Sequence, residues 1–200
     1  MAKLEYSAGM VKHSFWFNEF RKMIGLLLEG SSWEEIKRLC QEENIFSVRT
    51  VERANHIYRV VANRVNSLDR SIHTFFYNGE LSTQKIIVLI SIMKTDKLFF
   101  DFVYEVYYEK IQFGNNQLSD GDIQLFLRNK QVQSERVAKW TDETLKRLGR
   151  AYKTILIEAG VLIRGSRDNI QKPILDIALK SWLMNNQMQI YLDALTGGER

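Results

Sequence analysis

The chain has 200 residues, 45% hydrophobic and 26% charged, a balance that excludes intrinsic disorder and gives enough length for one core or two small ones. Lys and Arg outnumber Asp and Glu 11 to 9 in residues 1–70 and 11 to 7 in 136–200, but trail 6 to 8 in 71–135. The net charge of +4 is therefore concentrated at the two ends, a distribution that bears on partners rather than on fold.

A single cysteine, Cys40, excludes an intramolecular disulfide and any CxxC redox or zinc site. The opening MAKLEYSAGMVKH lacks the apolar run of a signal peptide, and the longest apolar block, residues 86–93, is far short of the ~20 residues of a membrane crossing. A soluble, cytoplasmic protein is expected. One proline and few glycines before residue 160 point to a mostly α fold.

In chain order, SFWFNEFRKMIGLLLEG spaces Phe17, Phe20, Ile24, Leu27 and Leu28 as a helical stripe bordered by Trp16, with Gly30 as its stop. Ser32 and Glu35 form a capping box that opens a second helix running to near Glu43. Ile36, Leu39 and Cys40 share its inner side, so Cys40 reads as a small buried hydrophobe rather than a reactive thiol.

After the connection NIFS comes TVERANHIYRVVANRVNSL. At ~100° per residue, Val51, Ala54, Ile57, Tyr58, Val61, Ala62, Val65 and Leu68 fall on one side, while Arg49, Arg53, His56 and Arg64 fall within a roughly 80° arc on the other. Helix, turn and helix over residues 31–66 are the layout in which a second helix lies in a DNA major groove. Arg49 and Arg53 stand where base edges would be met, with Arg59 and Arg64 placed for phosphates and His56 between them. The plainer reading is the wet face of a bundle helix.

Residues 69–81 read as a helical turn and a loop ending at Asn78-Gly79, which divides a helix-turn-helix-like part, 1–70, from a C-terminal helical part, 71–200. A capped apolar helix starts at Ser82, and an aromatic one begins near Thr95 or Asp96 with Leu98, Phe99, Phe102, Val103, Val106 and Tyr107 buried. Large rings at this spacing are core material before they are a base-stacking platform. Asp101, Glu105 and Glu109 stand four apart and read as a solvated acidic stripe paired to Lys97.

Ser119 with two following acids opens another helix. Thr141, Asp142 and Glu143 open a long one that carries Leu145, Leu148, Tyr152, Ile155, Leu156 and Ala159 inward and stops at Gly160. VLIRG and NIQKPIL, separated by SRD, predict a β-hairpin over 161–174, before helices at LDIALKSWLMNN and near residues 189–195. Lys146, Arg147, Arg150, Lys153, Arg164, Arg167 and Lys172 face only Glu158 and Asp168 over 146–172. A helix followed by a basic hairpin is how a winged helix adds phosphate contacts, although a hairpin that merely caps a core has the same pattern.

Histidines 13, 56 and 73 lack metal-ligand spacing, and GxxxxGK[ST], GxGxxG and GxSxG are absent, so neither a metal nor a nucleotide cofactor is expected.

Three strings together, TVERANHIYRVVANRVNSL, LISIMKTDKLFFDFVYEVYYEKI and LSDGDIQLFLRNKQVQSERVAKWTDETLKRLGRAYKTILIEAGVL, resemble the BrxA family of BREX phage-defence clusters, small helical proteins also described as NusB-like. The resemblance spans roughly residues 15–195. It is carried by KTD before the aromatic helix and by the W-T-acidic-x-T entry to the long helix. It implies a non-enzymatic accessory protein, mostly helical with winged-helix character, that binds double-stranded DNA beside other BREX proteins. The NusB-like label implies RNA instead, by analogy of fold alone. A scaffold that docks other defence proteins through its acidic middle is the alternative. The resemblance carries over no contact residues, so the candidates above rest on charge and spacing.

Overall fold

A computed structural model describes residues 5–165 and 168–198. The chain is 68% helical with one small three-stranded antiparallel sheet, the mostly α class expected. No helix among the described residues is long and apolar enough to cross a membrane.

A 3-10 turn, Gly9–Val11, leads into α1, Phe17–Leu28. Trp16 begins α1 in the left-handed region at φ 54°, and Gly30 at φ 97° ends it, with the Ser31 amide reaching back to the Leu26 carbonyl at 2.9 Å. Leu28, placed on the stripe, instead faces solvent. Helix α2, Trp33–Glu42, has the predicted capping box: Glu35 Oε2 accepts from the Ser32 amide at 2.7 Å, and Ser32 Oγ from the Glu35 amide at 3.2 Å. Cys40 is buried, and burial pushes its thiol up to about 11, so it is held as a neutral thiol.

Helix α3, Val51–Asn66, is capped by Thr50 and buries Ala54, Ile57, Val61, Ala62 and Val65. Val51 at its open first turn is half exposed rather than inward. Then follow α4, Ile72–Asn78, and α5, Leu81–Thr95. Ser82 lies inside the first turn of α5, whose N-cap position is Glu80, without a side-chain cap. Apolar nearly all round, α5 buries Ile86 through Ile90, Ile92 and Met93 and packs against α1, α3, α4 and α10, Asp142–Glu158. The apolar cluster built on it runs unbroken across residue 70.

Asp96 caps α6, Lys97–Phe102, which widens into a π turn, Val103–Tyr107, and continues as α7, Tyr108–Gln112. The aromatic helix is core, as expected: Phe99 and Phe102 lie 5.1 and 5.2 Å from the ring of Tyr152 on α10, and Phe102 lies 5.5 Å from Phe126. Its acidic stripe is paired to lysines as expected, with Glu105 exposed, but it is not solvated throughout. Asp101 is buried, accepting from Tyr6 Oη at 2.6 Å and pairing with Lys97 at 2.8 Å, and the buried Lys130 pairs with Glu105 at 2.6 Å. Glu109 is exposed, as expected of the stripe.

The C-terminal part runs β1, Gln117–Leu118; α8, Asp120–Gln133; α9, Glu135–Ala138; α10; β2, Leu162–Ile163; and β3, Asp168–Ile170. Strand β3 is central, pairing Leu118 with Asp168 on one side and Leu162 with Ile170 on the other. The predicted hairpin is present but ends at Ile170, and β1 is a third strand the sequence did not reveal. Helices α11, Ile177–Asn185, and α12, Gln189–Thr196, close the chain.

Candidate nucleic-acid interface

The order β1–α8–α9–α10–β2–β3 is a winged layout, in which α10 leads directly into the antiparallel pair β2 and β3. Two things set α10. Thr141 caps it by accepting from the Thr144 amide at 3.2 Å, and Gly149 lets α8 approach, since a Cβ there would lie 3.3 Å from Ile123 Cγ2. Leu145, Leu148, Tyr152, Ile155 and Leu156 are buried, so Lys146, Arg147 and Arg150 share the opposite, exposed face. Arg150 pairs with Glu143 at 3.0 Å, both of them exposed, an arrangement too solvated to hold the guanidinium back from a stronger anion.

At the root of the wing Lys153 bonds both Asp120, at 2.9 Å, and Asp168. Its charge is thereby spent within the fold. Arg164 is exposed where β2 ends, and Lys172 is exposed beyond β3. Arg167 lies outside the described residues.

Arg49, just before α3, and Arg59 on it are exposed and form no ion pair among the described residues; Arg53, also exposed, sits 5.3 Å from the Trp16 ring. The α2–α3 connection occupies residues 43–50, longer than the tight turn of a helix-turn-helix pair. His56 is half buried beneath the N-terminal segment, its ring 5.3 Å from His13 and 5.9 Å from Trp16. Burial, then the charges of Arg53 and Arg59, lower its pKa.

Arg64 requires a correction. The phosphate role read from the sequence needs an exposed side chain, and Arg64 is 2% exposed. Its Nη1 donates to the carbonyls of Ser14 and Phe15 at 2.9 and 3.0 Å, and its guanidinium lies 5.4 Å from the Trp16 ring. Burial pulls it down to about 10, so it remains charged at neutral pH. The cause is visible on the helical wheel, where Arg64 falls about 20° from the buried Ile57. The basic arc borders the apolar side at that edge instead of opposing it.

The two basic elements meet. A cleft of about 770 Å³ between wing and α10 is lined by Arg150, Lys153, Thr154 and Arg164. Arg150 and Thr154 also line a second cleft of about 520 Å³, with Arg147, His13, Glu143 and Glu158. His13 in turn lines a third, of about 380 Å³, with His56, Arg59 and Arg64. A tract of adjoining clefts thus runs from Arg164 along α10 and over His13 to α3, its arginines interleaved with Asp120, Asp168, Glu143, Glu158 and Asp96. Sequence reasoning missed His13 and Trp16, which join the halves; both lie in the irregular segment before α1, where no periodicity marks a side chain's direction. Among the described residues no three His, Cys, Asp or Glu side chains are grouped to hold a metal ion.

Residues 4–187 match the family model described as BrxA. A protein of Bacillus cereus (strain H3081.97) named "BREX protein BrxA" is 39% identical over 96% of each chain. One of the same name from Paramagnetospirillum magneticum (strain ATCC 700264 / AMB-1) is 21% identical over 94% of this chain and 95% of that one. The crystal structure of an uncharacterized protein from Magnetospirillum magneticum superposes with a TM-score of 0.83 at 19% identity, covering 98% of this chain and 100% of the other, which shows a shared fold.

Proposed function

The chain belongs to the BrxA family, a component of BREX phage defence, and on that premise we propose that it is a non-enzymatic protein that binds double-stranded DNA mainly through phosphates. The observation that carries the reading is the meeting of α3 and α10 cations at His13, which borders the clefts of both. A groove-seated α10 would present Lys146, Arg147 and Arg150, with Arg164 and Lys172 on the wing side and Arg49, Arg53 and Arg59 on the flank. The winged order of strands and helices favours α10 over α3 as the element nearest the duplex.

The test is a duplex titration at several salt concentrations. With about five phosphates neutralised, affinity falls about 500-fold between 50 and 200 mM salt. Charge reversal at Arg147 and Arg164 weakens binding more than reversal at Arg49 and Arg53. Negligible binding at low salt would overturn the proposal, and tighter binding to single-stranded RNA would move it to the NusB-like reading.

One observation favours a scaffold as the second reading. Phe113 and Leu125, 85% and 61% exposed, line a cleft with Glu105 and Glu109, an apolar and acidic surface suited to a basic segment of another BREX protein.

A further inference from the structure

Two of the buried side-chain nitrogens that have no protein partner, Arg64 Nη2 and His56 Nε2, belong to residues lining one cleft, the 380 Å³ space between the N-terminal segment and α3. A buried guanidinium is stable only when its N–H groups are matched. Here Nη1 has two carbonyls and the cation has the Trp16 ring, while Nη2 has nothing in the protein to donate to. One carboxylate, Asp96, lies on the same cleft and is felt electrostatically by Arg64, yet forms no ion pair with it among the described residues. Asp96 Oδ1 is already used, accepting from the Phe99 amide at 2.9 Å to cap α6.

Apart from the apolar Met10 and Val60, the remaining lining is cationic or a donor. Arg59 is exposed, Asn63 stands one turn further along α3, and His13 from the N-terminal segment also lines the cleft. We infer that this cleft is a binding site for a single tetrahedral oxyanion, a phosphoryl group, held by Arg64 Nη2 and His56 Nε2 from within and by the exposed Arg59. Such a ligand satisfies both orphan nitrogens at once and supplies the counter-charge that Arg64 lacks. Bound ligand favours charged imidazoles at His13 and His56, which burial and neighbouring arginines otherwise keep neutral. Asp96 opposes an anion when ionised, but burial raises its carboxyl to about 6, so below that pH its protonated form donates a hydrogen bond to the anion instead.

The site does not require a duplex, so it can fail while DNA binding stands, and the reverse. The probe is sulfate, a dianion across pH 5–8, titrated against chloride at matched ionic strength. The readout is the NMR shift of the His13 and His56 ring protons and the Trp16 indole. Saturable shifts at these three residues, tighter at pH 5.5 than at pH 8, are expected. Arg59→Glu, an exposed change that spares the core, should weaken sulfate about tenfold or more. His56→Leu should do the same, and it serves as a second variant because it keeps Arg64 and its carbonyls intact. Adding saturating duplex identifies the source: loss of the sulfate shifts assigns the site to a backbone phosphate, and their persistence assigns it to a free phosphate or phosphate monoester. Shifts that never saturate, that spread over the whole tract, or that are indifferent to Arg59→Glu and His56→Leu would overturn the inference.

Discussion

Arg64 Nη1 donates to the carbonyl of Phe15 at 3.0 Å, tying the interior of α3 to the segment that precedes α1. An arginine in this position is architecture: it holds the left-handed Trp16 and the N-terminal arm, and with them His13, against α3. Arg64→Ala should lower stability by about 3 kcal/mol, from the lost volume and the orphaned carbonyls. Arg64→Met should lower it less, because the side chain still fills the space and no charge is buried. Urea denaturation reads both, and midpoints equal to wild type would return Arg64 to the surface.

Regular elements were legible because their burial follows a period. The Ser32–Glu35 capping box, the glycine stops and the aromatic core of α6 all lie within spans where hydrophobic spacing decides direction. The candidate site was half legible. Arg147, Arg150 and Arg164 could be read as outward, but Arg64 stands at the border of two arcs, where an angle alone does not separate core from surface. Nor does spacing report that Lys153 is neutralised by Asp120, 33 residues earlier, or that Gln117 and Leu118 pair with a strand beyond residue 167. These depend on long-range placement, as does the meeting of His13 with His56.

Lys153 tests whether charge on α10 is equivalent from residue to residue. Because Asp120 and Asp168 already match it, Lys153→Met should leave the salt dependence of duplex binding unchanged, whereas each lost phosphate ligand lowers the slope by about 1. Its cost appears at the hairpin, where the buried Asp168 loses its partner. About 2 kcal/mol of stability should go, and amide exchange at Ile163 and Asn169 should quicken. Burial alone would raise the Asp168 pKa, but the Lys153 bond, the Gly165 amide and the charges of Lys153 and Arg164 hold it below the ordinary value. Its contribution is therefore present above the unfolded value of about 3.9 and lost as pH falls below it. A salt slope reduced in Lys153→Met would show that this lysine meets phosphate after all.

Asp96 and His13 pull the pH dependence of stability in opposite directions. Burial raises Asp96 to about 6, against the Phe99 amide and the Arg64 charge. From about pH 4 to 6 the native state therefore keeps a proton the unfolded chain has lost, and stability falls as pH rises. Burial, followed by the charges of Arg64, His56 and Arg53, lowers His13 to about 4. Between about pH 4 and 6.5 the unfolded chain binds the extra proton, and stability rises with pH. Each is worth about 3 kcal/mol, and His56 and His73, also lowered by burial, add to the rising side. Relative to wild type, Asp96→Asn should gain stability progressively as pH rises through this window, and His13→Gln should lose it. Urea midpoints at half-unit steps measure both, and parallel curves for all three proteins would refute the assignment.

Lys97 and Lys130 both pair with Asp101, at 2.8 and 3.8 Å, yet they should differ in worth. The Lys97 side chain is 36% exposed and joins Asp101 as an i,i+4 pair, a geometry worth under about 1 kcal/mol. Lys130 is 6% exposed, bonds Glu105 at 2.6 Å and lies 5.3 Å from the Phe126 ring. Removing its charge strands a buried carboxylate that only Lys97 and the Tyr6 hydroxyl continue to neutralise. Lys130→Ala should therefore cost about 3 kcal/mol, and Lys97→Ala under about 1. Asp101→Asn should erase most of that difference, because the lone carboxylate is what makes the loss of Lys130 expensive. A double-mutant cycle over the three positions in urea measures the coupling, and equal losses for the two lysines would mean that Asp101 is solvated, as the spacing of acids along the helix first implied.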